Sequence, residues 1–228
     1  MIFDLGKTLF FPENAYKKAE KAKYEKMKEL GYNISWEKYK QLCEKVSKKF
    51  KKRYGKTAER HKPGNFMEIF FNLWGKEASK KEMKEIDQAY FDEFTQNMVA
   101  DEEADSIIDF CSKKGFLVGV ITNGNQKMTE KKLAKLKSRE SIDKVIYSTE
   151  SGEKSTLKPF KEFLQETGLS PEKCLMVGDR KDEDMHAKKV GMKTAWIKKQ
   201  PSEPRGEEIE PDFELNNLTE LKKLLKNL

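Results

Sequence analysis

The amino-acid sequence predicts an α/β fold: a parallel sheet with helices on both faces, interrupted near its start by an all-helical insert. Two observations support this prediction. After residue 100, short apolar runs alternate with helical stretches, which is the pattern of parallel strands joined by crossover helices. Between about residues 14 and 97, apolar side chains instead recur at spacings of three and four, the period of one helical face.

The elements follow this pattern from the first residue onward. Residues 1–4 are predicted to form a short apolar strand that ends on a carboxylate. Further strands are predicted at 116–122, 144–148, 174–179 and 193–197, and helices around 102–114, 127–137, 158–168, 182–190 and 219–228.

This order predicts two domains and one flexible segment. Residues 1–11 and 98–228 would form the sheet-containing core, and residues 12–97 would form the helical insert. Residues 198–211, which hold three prolines and a glycine, are predicted to be flexible.

The positive charge of the chain is concentrated in one segment. The 228 residues carry a net charge of +7, whereas residues 17–62 hold 17 Lys and Arg against 6 Asp and Glu, a net charge of +11. Such a segment can bind nucleic acid or another polyanion, although a solvated lysine-rich helix face has the same composition.

Other features of the composition exclude several classes of protein. No apolar run approaches the roughly 18 residues of a membrane span, so we expect no membrane partner. Cys43, Cys111 and Cys174 are far apart and odd in number, which predicts thiols in a reducing cytoplasm. With only His61 and His186, a histidine-based triad or multi-histidine metal site is not expected.

Polar residues end four of the predicted strands. They are Asp4, Thr122, Ser148 and Asp179. In open parallel sheets, ligands bind at the carboxyl ends of the strands, so these side chains are expected to converge on one site.

These residue types suit phosphoryl chemistry. A carboxylate such as Asp4 can attack phosphorus or carbon to form an ester, and the turn after it offers backbone N–H groups to a developing anion. Thr122 can donate a hydrogen bond to a phosphoryl oxygen, and Lys158 can balance the charge of the nucleophile and the transferred group. Asp179 is a hard oxygen ligand of the kind that Mg²⁺ prefers.

Four short motifs carry a family resemblance. Asp4–Thr8, Thr122 with Asn123, Lys158 with Pro159, and Gly178-Asp179 with Asp184 resemble, in order and spacing, the four motifs of the haloacid dehalogenase (HAD) superfamily. The resemblance covers residues 1–11 and about 98–220, and the insert between the first two motifs is similar to that family's helical C1 cap.

The resemblance implies a Rossmann-like core and a role for each motif residue. Asp4 would be the nucleophile, Thr122 would bind the phosphoryl group and Lys158 would stabilise it. Mg²⁺ would be held by Asp4, the backbone carbonyl of Gly6, Asp179 and Asp184. The residues expected to face the substrate are Leu5, Gly6, Lys7, Thr8, Asn123 and Gly124.

Two positions depart from the family pattern. Phosphatases of the superfamily usually carry a second aspartate, the general acid and base, where this chain has Gly6. General acid–base catalysis is typically worth about 10²–10⁴-fold in rate, so acid catalysis is predicted to be weak. The fourth motif is about one residue shorter than in relatives, which leaves Glu183 as an alternative to Asp184.

The sequence therefore predicts a Mg²⁺-dependent phosphatase for a small phosphorylated metabolite, acting through an aspartyl-phosphate on Asp4. A dehalogenase-type hydrolase that attacks carbon is one alternative, and a phosphonate hydrolase is another. The alternative from a different class is a catalytically impaired binding protein that uses the basic segment 17–62. Either a monomer or a homodimer is compatible with the sequence.

Overall fold

The computed structural model describes residues 1–55, 57–198, 204 and 206–226. The chain divides into two compact units, Met1–Phe11 with Val99–Leu228 and, between them, Pro12–Met98. The first is called the core unit below and the second the helical unit. Residue 98, which the sequence prediction assigned to the core, lies in the helical unit.

The strands of the described chain all belong to the core unit. They are β1 (Ile2–Phe3), β2 (Phe10–Phe11), β3 (Val99–Ala100), β4 (Gly119–Thr122), β5 (Lys144–Tyr147), β6 (Leu175–Gly178), β7 (Lys193–Ile197) and β8 (Phe213–Leu215). Six of them form one parallel sheet in the order β5-β4-β1-β6-β7-β8. The strand that begins the chain thus lies in the middle of the sheet, between β4 and β6.

The α-helices connect and flank these strands. They are α1 (Ala15–Glu29), α2 (Trp36–Tyr54), α3 (Asn65–Trp74), α4 (Lys80–Gln96), α5 (Ala104–Lys113), α6 (Gln126–Leu133), α7 (Ser148–Ser151), α8 (Lys158–Thr167) and α9 (Leu218–Lys226). A parallel sheet flanked by helices confirms the predicted α/β fold class.

The helical unit is built around an aromatic core. Tyr39 of α2 and Phe70 and Phe71 of α3 are almost fully buried and pack with Met27 of α1. Helix α4 begins with a capping box: the Ser79 hydroxyl accepts the N–H of Glu82, whose carboxylate accepts the N–H of Ser79. The three- and four-residue spacing predicted these helices because it places their apolar side chains on one face.

Helix α8 covers one face of the sheet in the core unit. Phe160 and Phe163 of α8 pack with Ile2 of β1 and Ile121 of β4. Gly119 leaves room for this packing, because a Cβ at residue 119 would overlap the ring of Phe163. The first residues of the chain are therefore fixed by apolar burial immediately before Asp4.

Several elements differ from the sequence prediction. β2 and β3 pair antiparallel, with Phe10 opposite Ala100, and β8 adds an edge strand. None of the three was predicted, because strands of two or three residues show no periodicity. The helix predicted at 182–190 is a 3₁₀ helix from Asp184 to Val190. The one predicted at 127–137 ends as an α-helix at Leu133.

Parts of two predictions lie outside the described residues. These parts are residues 199–203 and 205 of the predicted flexible segment 198–211, and residues 227–228 of the closing helix. In the described part of the chain, no helix combines the length and apolar character needed to cross a membrane.

Candidate active site

Asp4 stands at the carboxyl end of the central strand of the sheet. Its backbone N–H donates to the carbonyl of Val177 in β6 at 2.8 Å, which continues the parallel ladder by one residue. The chain then turns back sharply: Lys7 has a φ of +61° and its N–H donates to the carbonyl of Phe10 at 2.6 Å. The Asp4 carboxylate is buried and faces the loops that follow the neighbouring strands.

A buried lysine joins Asp4 to the loop after β6. The ammonium group of Lys154 donates to Oδ1 of Asp4 at 2.5 Å and also donates to Oδ1 of Asp184. Only 1% of the lysine side chain is exposed. A buried ammonium must be paired, and here two carboxylates provide that pairing.

The sequence prediction assigned the charge balance at the nucleophile and the transferred group to Lys158, whereas the lysine that the structure places on Asp4 is Lys154. Lys158 is the first residue of α8 and is exposed, whereas Lys154 begins a 3₁₀ turn, Lys154–Thr156, four residues earlier. The prediction selected the lysine that precedes Pro159. The turn and the left-handed Leu157 lie between the two lysines, and the earlier lysine is the one that reaches Asp4.

Three carboxylates form one acidic cluster. Asp4, Asp179 and Asp184 each offer an oxygen atom within 4.8 Å of the others. Oδ2 of Asp184 also accepts the N–H of Arg180 at 3.0 Å. Gly178 makes this approach possible, because a Cβ at that residue would overlap the Asp184 carboxylate. Asp184, rather than Glu183, is the member of the fourth motif that reaches the cluster.

Burial and neighbouring charges shift the pKa of Asp179, Asp184 and Lys154. Burial, and then the charge of Asp4, raise the pKa of Asp179 to about 7. Burial also raises the pKa of Asp184 well above its usual value, although Lys154 opposes this shift. Burial alone would lower the pKa of Lys154, but the Asp184 and Asp4 carboxylates outweigh it and raise that pKa.

The acidic cluster fits a hard divalent cation. Carboxylate oxygens are the donors that Mg²⁺ prefers, and three carboxylates each offer an oxygen within 4.8 Å of the others in a site where burial and neighbouring carboxylates raise the pKa of Asp179 and Asp184. A cation bound between these oxygens would neutralise their charge. The donor set is therefore suited to Mg²⁺.

The remaining predicted residues surround Asp4 in different ways. The side chain of Leu5 is fully buried. The hydroxyl of Thr8 is buried and has no hydrogen-bond partner among the described residues. Thr122 is buried at the end of β4, and the N–H of Gly124 donates back to its carbonyl at 3.0 Å. Beside Gly6, a Cβ would meet no heavy atom within 4 Å, so the position of the usual second aspartate is open.

Asn123 connects the loops that follow three strands. Its Oδ1 accepts the backbone N–H of Lys154 at 3.1 Å, and its Nδ2 donates to Oε2 of Glu183 at 2.6 Å. Glu183 is also paired with Arg180, whose Nε lies 3.5 Å from Oε1. The side chain that the sequence offered as a substrate contact is thus bonded at both ends of its amide.

Two lysines of this site were missed by sequence reasoning. One is Lys154, and the other is Lys132 on α6. Burial lowers the pKa of Lys132 to about 8, and the carboxylate of Asp4 acts in the opposite direction. Neither position stands out in a chain with 46 Lys and Arg, so only the fold distinguishes them.

Comparisons with known proteins agree with this geometry. Residues 1–197 match the family model described as haloacid dehalogenase-like hydrolase. Glyceraldehyde 3-phosphate phosphatase of Methanopyrus kandleri is 28% identical over 236 aligned residues, which cover 100% of this chain and 97% of that protein.

Solved structures share the fold. A HAD phosphatase from Thermococcus onnurineus superimposes with a TM-score of 0.70 at 21% identity, covering 98% of this chain and 96% of its own. A 2-haloacid dehalogenase from Pseudomonas syringae pv. tomato gives a TM-score of 0.70 at 22% identity, covering 99% and 97%. At such identities these structures show the common fold alone.

Proposed function

Because the chain belongs to the haloacid dehalogenase-like hydrolase family and is an enzyme of the hydrolase class, we propose that it is a Mg²⁺-dependent phosphatase. Its substrate is a small phosphorylated metabolite, and Asp4 is the nucleophile. The observation that carries this proposal is the hydrogen bond from a buried lysine to Asp4, together with two further carboxylates that each offer an oxygen within 4.8 Å of an Asp4 oxygen. The predicted cytoplasmic location is supported by its three free cysteines.

The reaction proceeds in two displacements at phosphorus. An oxygen of Asp4 attacks the phosphorus atom, the P–O bond to the metabolite breaks and an aspartyl-phosphate forms, while the metabolite leaves as an alkoxide that takes a proton from water. Water then attacks that phosphorus atom, releasing phosphate and the free carboxylate. Lys154 balances the charge of the nucleophile, and Thr122 donates its hydroxyl to a phosphoryl oxygen.

Asp4, Asp179, Asp184 and the backbone carbonyl of Gly6 would hold Mg²⁺. When bound, the cation supplies positive charge that stabilises the phosphoryl oxygens. Without that positive charge, the carboxylates of Asp179 and Asp184 would repel the phosphate group of the substrate. The protein's own contribution is to fix the three carboxylates within 4.8 Å of one another in a buried pocket.

The size of the substrate is proposed from relatives. The M. kandleri protein, which is similar along the whole chain, is named for glyceraldehyde 3-phosphate. We therefore place a phosphorylated sugar or acid of about three carbons first among the candidates. A phosphate ester of this kind has an alkoxide leaving group, so the absence of an aspartate at residue 6 should limit its turnover.

Hydrolysis at carbon is a weaker candidate. Fold similarity to a 2-haloacid dehalogenase permits it. However, a cluster of three carboxylates suited to Mg²⁺ favours transfer of a phosphoryl group, whose oxygens the cation would stabilise, over attack on carbon.

Binding of a polyanion by the basic segment is the candidate from a different class. Helix α2 exposes a series of cationic side chains: Lys38, Lys40, Lys45, Lys48, Lys49, Lys51, Lys52 and Arg53. Salt-sensitive retention of nucleic acid without phosphate release would favour this function.

Phosphate release tests the proposal directly. Wild-type protein and Asp4→Asn are given p-nitrophenyl phosphate and a panel of sugar and acid phosphates, with Mg²⁺ and with EDTA. We expect Mg²⁺-dependent release that is lost in Asp4→Asn and kept in the control Asp109→Asn, which alters a carboxylate bonded to Ser141. Equal inactivity of wild type and Asp4→Asn on every substrate would refute the proposal.

A further inference from the structure

The side-chain amide of Asn123 is hydrogen-bonded to two other loops of the site. The loop after β4 carries Asn123, the loop after β5 carries Lys154, and the loop after β6 carries Glu183. The amide oxygen accepts the Lys154 N–H at 3.1 Å, and the amide nitrogen donates to Glu183 at 2.6 Å. The Asn123 side chain therefore connects the loop that brings the Lys154 ammonium to Asp4 with the loop that brings Asp179 and Asp184 to it.

We infer that Asn123 is a positioning residue that holds Lys154 against Asp4, with Glu183 orienting its amide. This inference deepens the proposed function and rests on it. It also replaces the expectation that Asn123 serves mainly as a contact for the substrate.

The loop that carries Lys154 needs such an anchor. Within the 3₁₀ turn the backbone hydrogen bonds are local, from Thr156 to Glu153 and from Leu157 to Lys154, while earlier in this loop the Thr149 N–H donates to the carbonyl of Gly124 at 3.4 Å. Leu157 also adopts a φ of +65°, a left-handed conformation that a leucine disfavours. The bond from Lys154 to Asn123 ties this turn to β4, which pairs directly with β1.

Glu183 sets the direction in which the Asn123 amide points. Its carboxylate is buried, and only a donor can satisfy it, so the NH₂ group of Asn123 faces Glu183 and the oxygen faces Lys154. Arg180, with its Nε at 3.5 Å, provides the balancing charge. An aspartate at 123 would keep the acceptor for Lys154 but would place a carboxylate against Glu183.

The direction of the Asn123 amide can be tested by exchanging the amide and the carboxylate between residues 123 and 183. Asn123→Asp alone should lower kcat about tenfold or more, a size usual for coupled residues in direct contact, with KM changed by less than about threefold. In Asn123→Asp with Glu183→Gln, the Gln NH₂ donates to the new carboxylate. This double variant should recover kcat to within about threefold of Glu183→Gln alone.

The chain offers a matched control for the exchange. Asn216 donates from its Nδ2 to Glu220 at 2.9 Å in the same unit, in an exposed pair outside the site. Asn216→Asp, alone or with Glu220→Gln, should leave kcat and KM unchanged.

A second measurement does not depend on catalysis. The amine of Lys154 is labelled with an acylating reagent and quantified by peptide mass spectrometry, in wild type, Asn123→Ala and Asn216→Ala. Lys154 is 1% exposed, so wild type should label it slowly. Asn123→Ala should raise its labelling rate at least severalfold relative to exposed lysines, and Asn216→Ala should not.

The two measurements separate the possible failures. If wild type releases no phosphate but Asn123→Ala still exposes Lys154, the proposed phosphatase is wrong and the positioning role stands. If Asn123→Ala leaves Lys154 protected and raises KM alone, Asn123 is a substrate contact and the inference is wrong. Failure of the double variant to recover kcat would also contradict it.

Discussion

At the scale of single residues, the contact between Lys154 and two carboxylates organises the site. The ammonium lies between Asp4 and Asp184, and its removal would leave those charges facing each other in a buried pocket. Under the proposed function, the same lysine would also balance the charge of a phosphoryl group attached to Asp4. The pairing with two carboxylates explains how a lysine can be buried here.

The first prediction separates the two lysines of this loop. Lys154→Met should lower kcat by about 10² or more, because it removes charge stabilisation at the reacting group. Lys158→Met should change kcat by less than about twofold, because that side chain is exposed at the start of α8. Steady-state phosphate release from p-nitrophenyl phosphate measures both. A larger loss in Lys158→Met than in Lys154→Met would overturn the assignment.

A second prediction concerns Gly6. Apart from its chain neighbours, no heavy atom lies within 4 Å of a Cβ built at this residue, so the Cβ that Gly6→Asp adds meets open space. The new carboxyl group should raise kcat for alkyl phosphates, by up to about 10²-fold, since it supplies a general acid. For p-nitrophenyl phosphate, whose leaving group needs no proton, the gain should be small.

Gly6→Ala is the matched control for that experiment, since it adds a side chain without an acid. The ratio of alkyl to aryl phosphate turnover should rise in Gly6→Asp and not in Gly6→Ala. An unchanged ratio in a folded Gly6→Asp protein would mean that another group already protonates the leaving oxygen.

At the scale of elements, the ends of the parallel strands are the reason that several site residues could be predicted from the sequence. Asp4, Thr122 and Asp179 follow apolar runs, and parallel pairing brings the ends of those runs to one edge. That reasoning needs only the order of the strands. It could not predict Lys154, whose direction depends on a 3₁₀ turn and a left-handed Leu157 inside a loop.

Short elements escaped prediction for a related reason. β2 and β3 contain two residues each. They pair where the chain leaves the core unit, at Phe11, and where it returns to that unit, at Val99. Pairing between residues so far apart in sequence leaves no local signal. The partners of Asn123 escaped prediction in the same way, because they lie 31 and 60 residues further along the chain.

The third prediction tests the packing of α8 on the sheet. Gly119→Ala places a methyl group on the ring of Phe163 and should destabilise the fold by roughly 1–3 kcal/mol, the usual cost of overpacking. Combining it with Phe163→Leu should restore part of the loss, because the smaller side chain vacates that space. Chemical denaturation measures the difference, and additive losses in the double variant would contradict the contact.

At the scale of the whole molecule, the acidic cluster links stability to pH and to Mg²⁺. The folded-state pKa of Asp179, about 7, exceeds its ordinary value of 3.8, so folded protein binds more protons than unfolded protein between these values. Stability of the metal-free protein should therefore fall as pH rises from about 4 to 7. The raised pKa of Asp184 acts in the same direction.

The fourth prediction follows from this decrease in stability with rising pH. In EDTA, Tm should be lower at about pH 8 than at pH 5, and Mg²⁺ should raise Tm more at the higher pH, above the pKa of Asp179. Asp179→Asn should reduce both the change in Tm with pH and the change with pH in the Tm increase that Mg²⁺ causes. Asp212→Asn is the control: the pKa of Asp212 is lowered, so it titrates below this range and its loss should leave the slope unchanged.

A covalent intermediate on Asp4 is the most direct test of the central claim. Wild-type protein with Mg²⁺ is mixed with radiolabelled phosphoester, quenched in acid within the first turnover and digested. If Asp4 is the nucleophile, label appears on the peptide that contains Asp4, is lost in Asp4→Asn and is chased by unlabelled substrate. Phosphate release with no label on that peptide, or with undiminished release in Asp4→Asn, would contradict it.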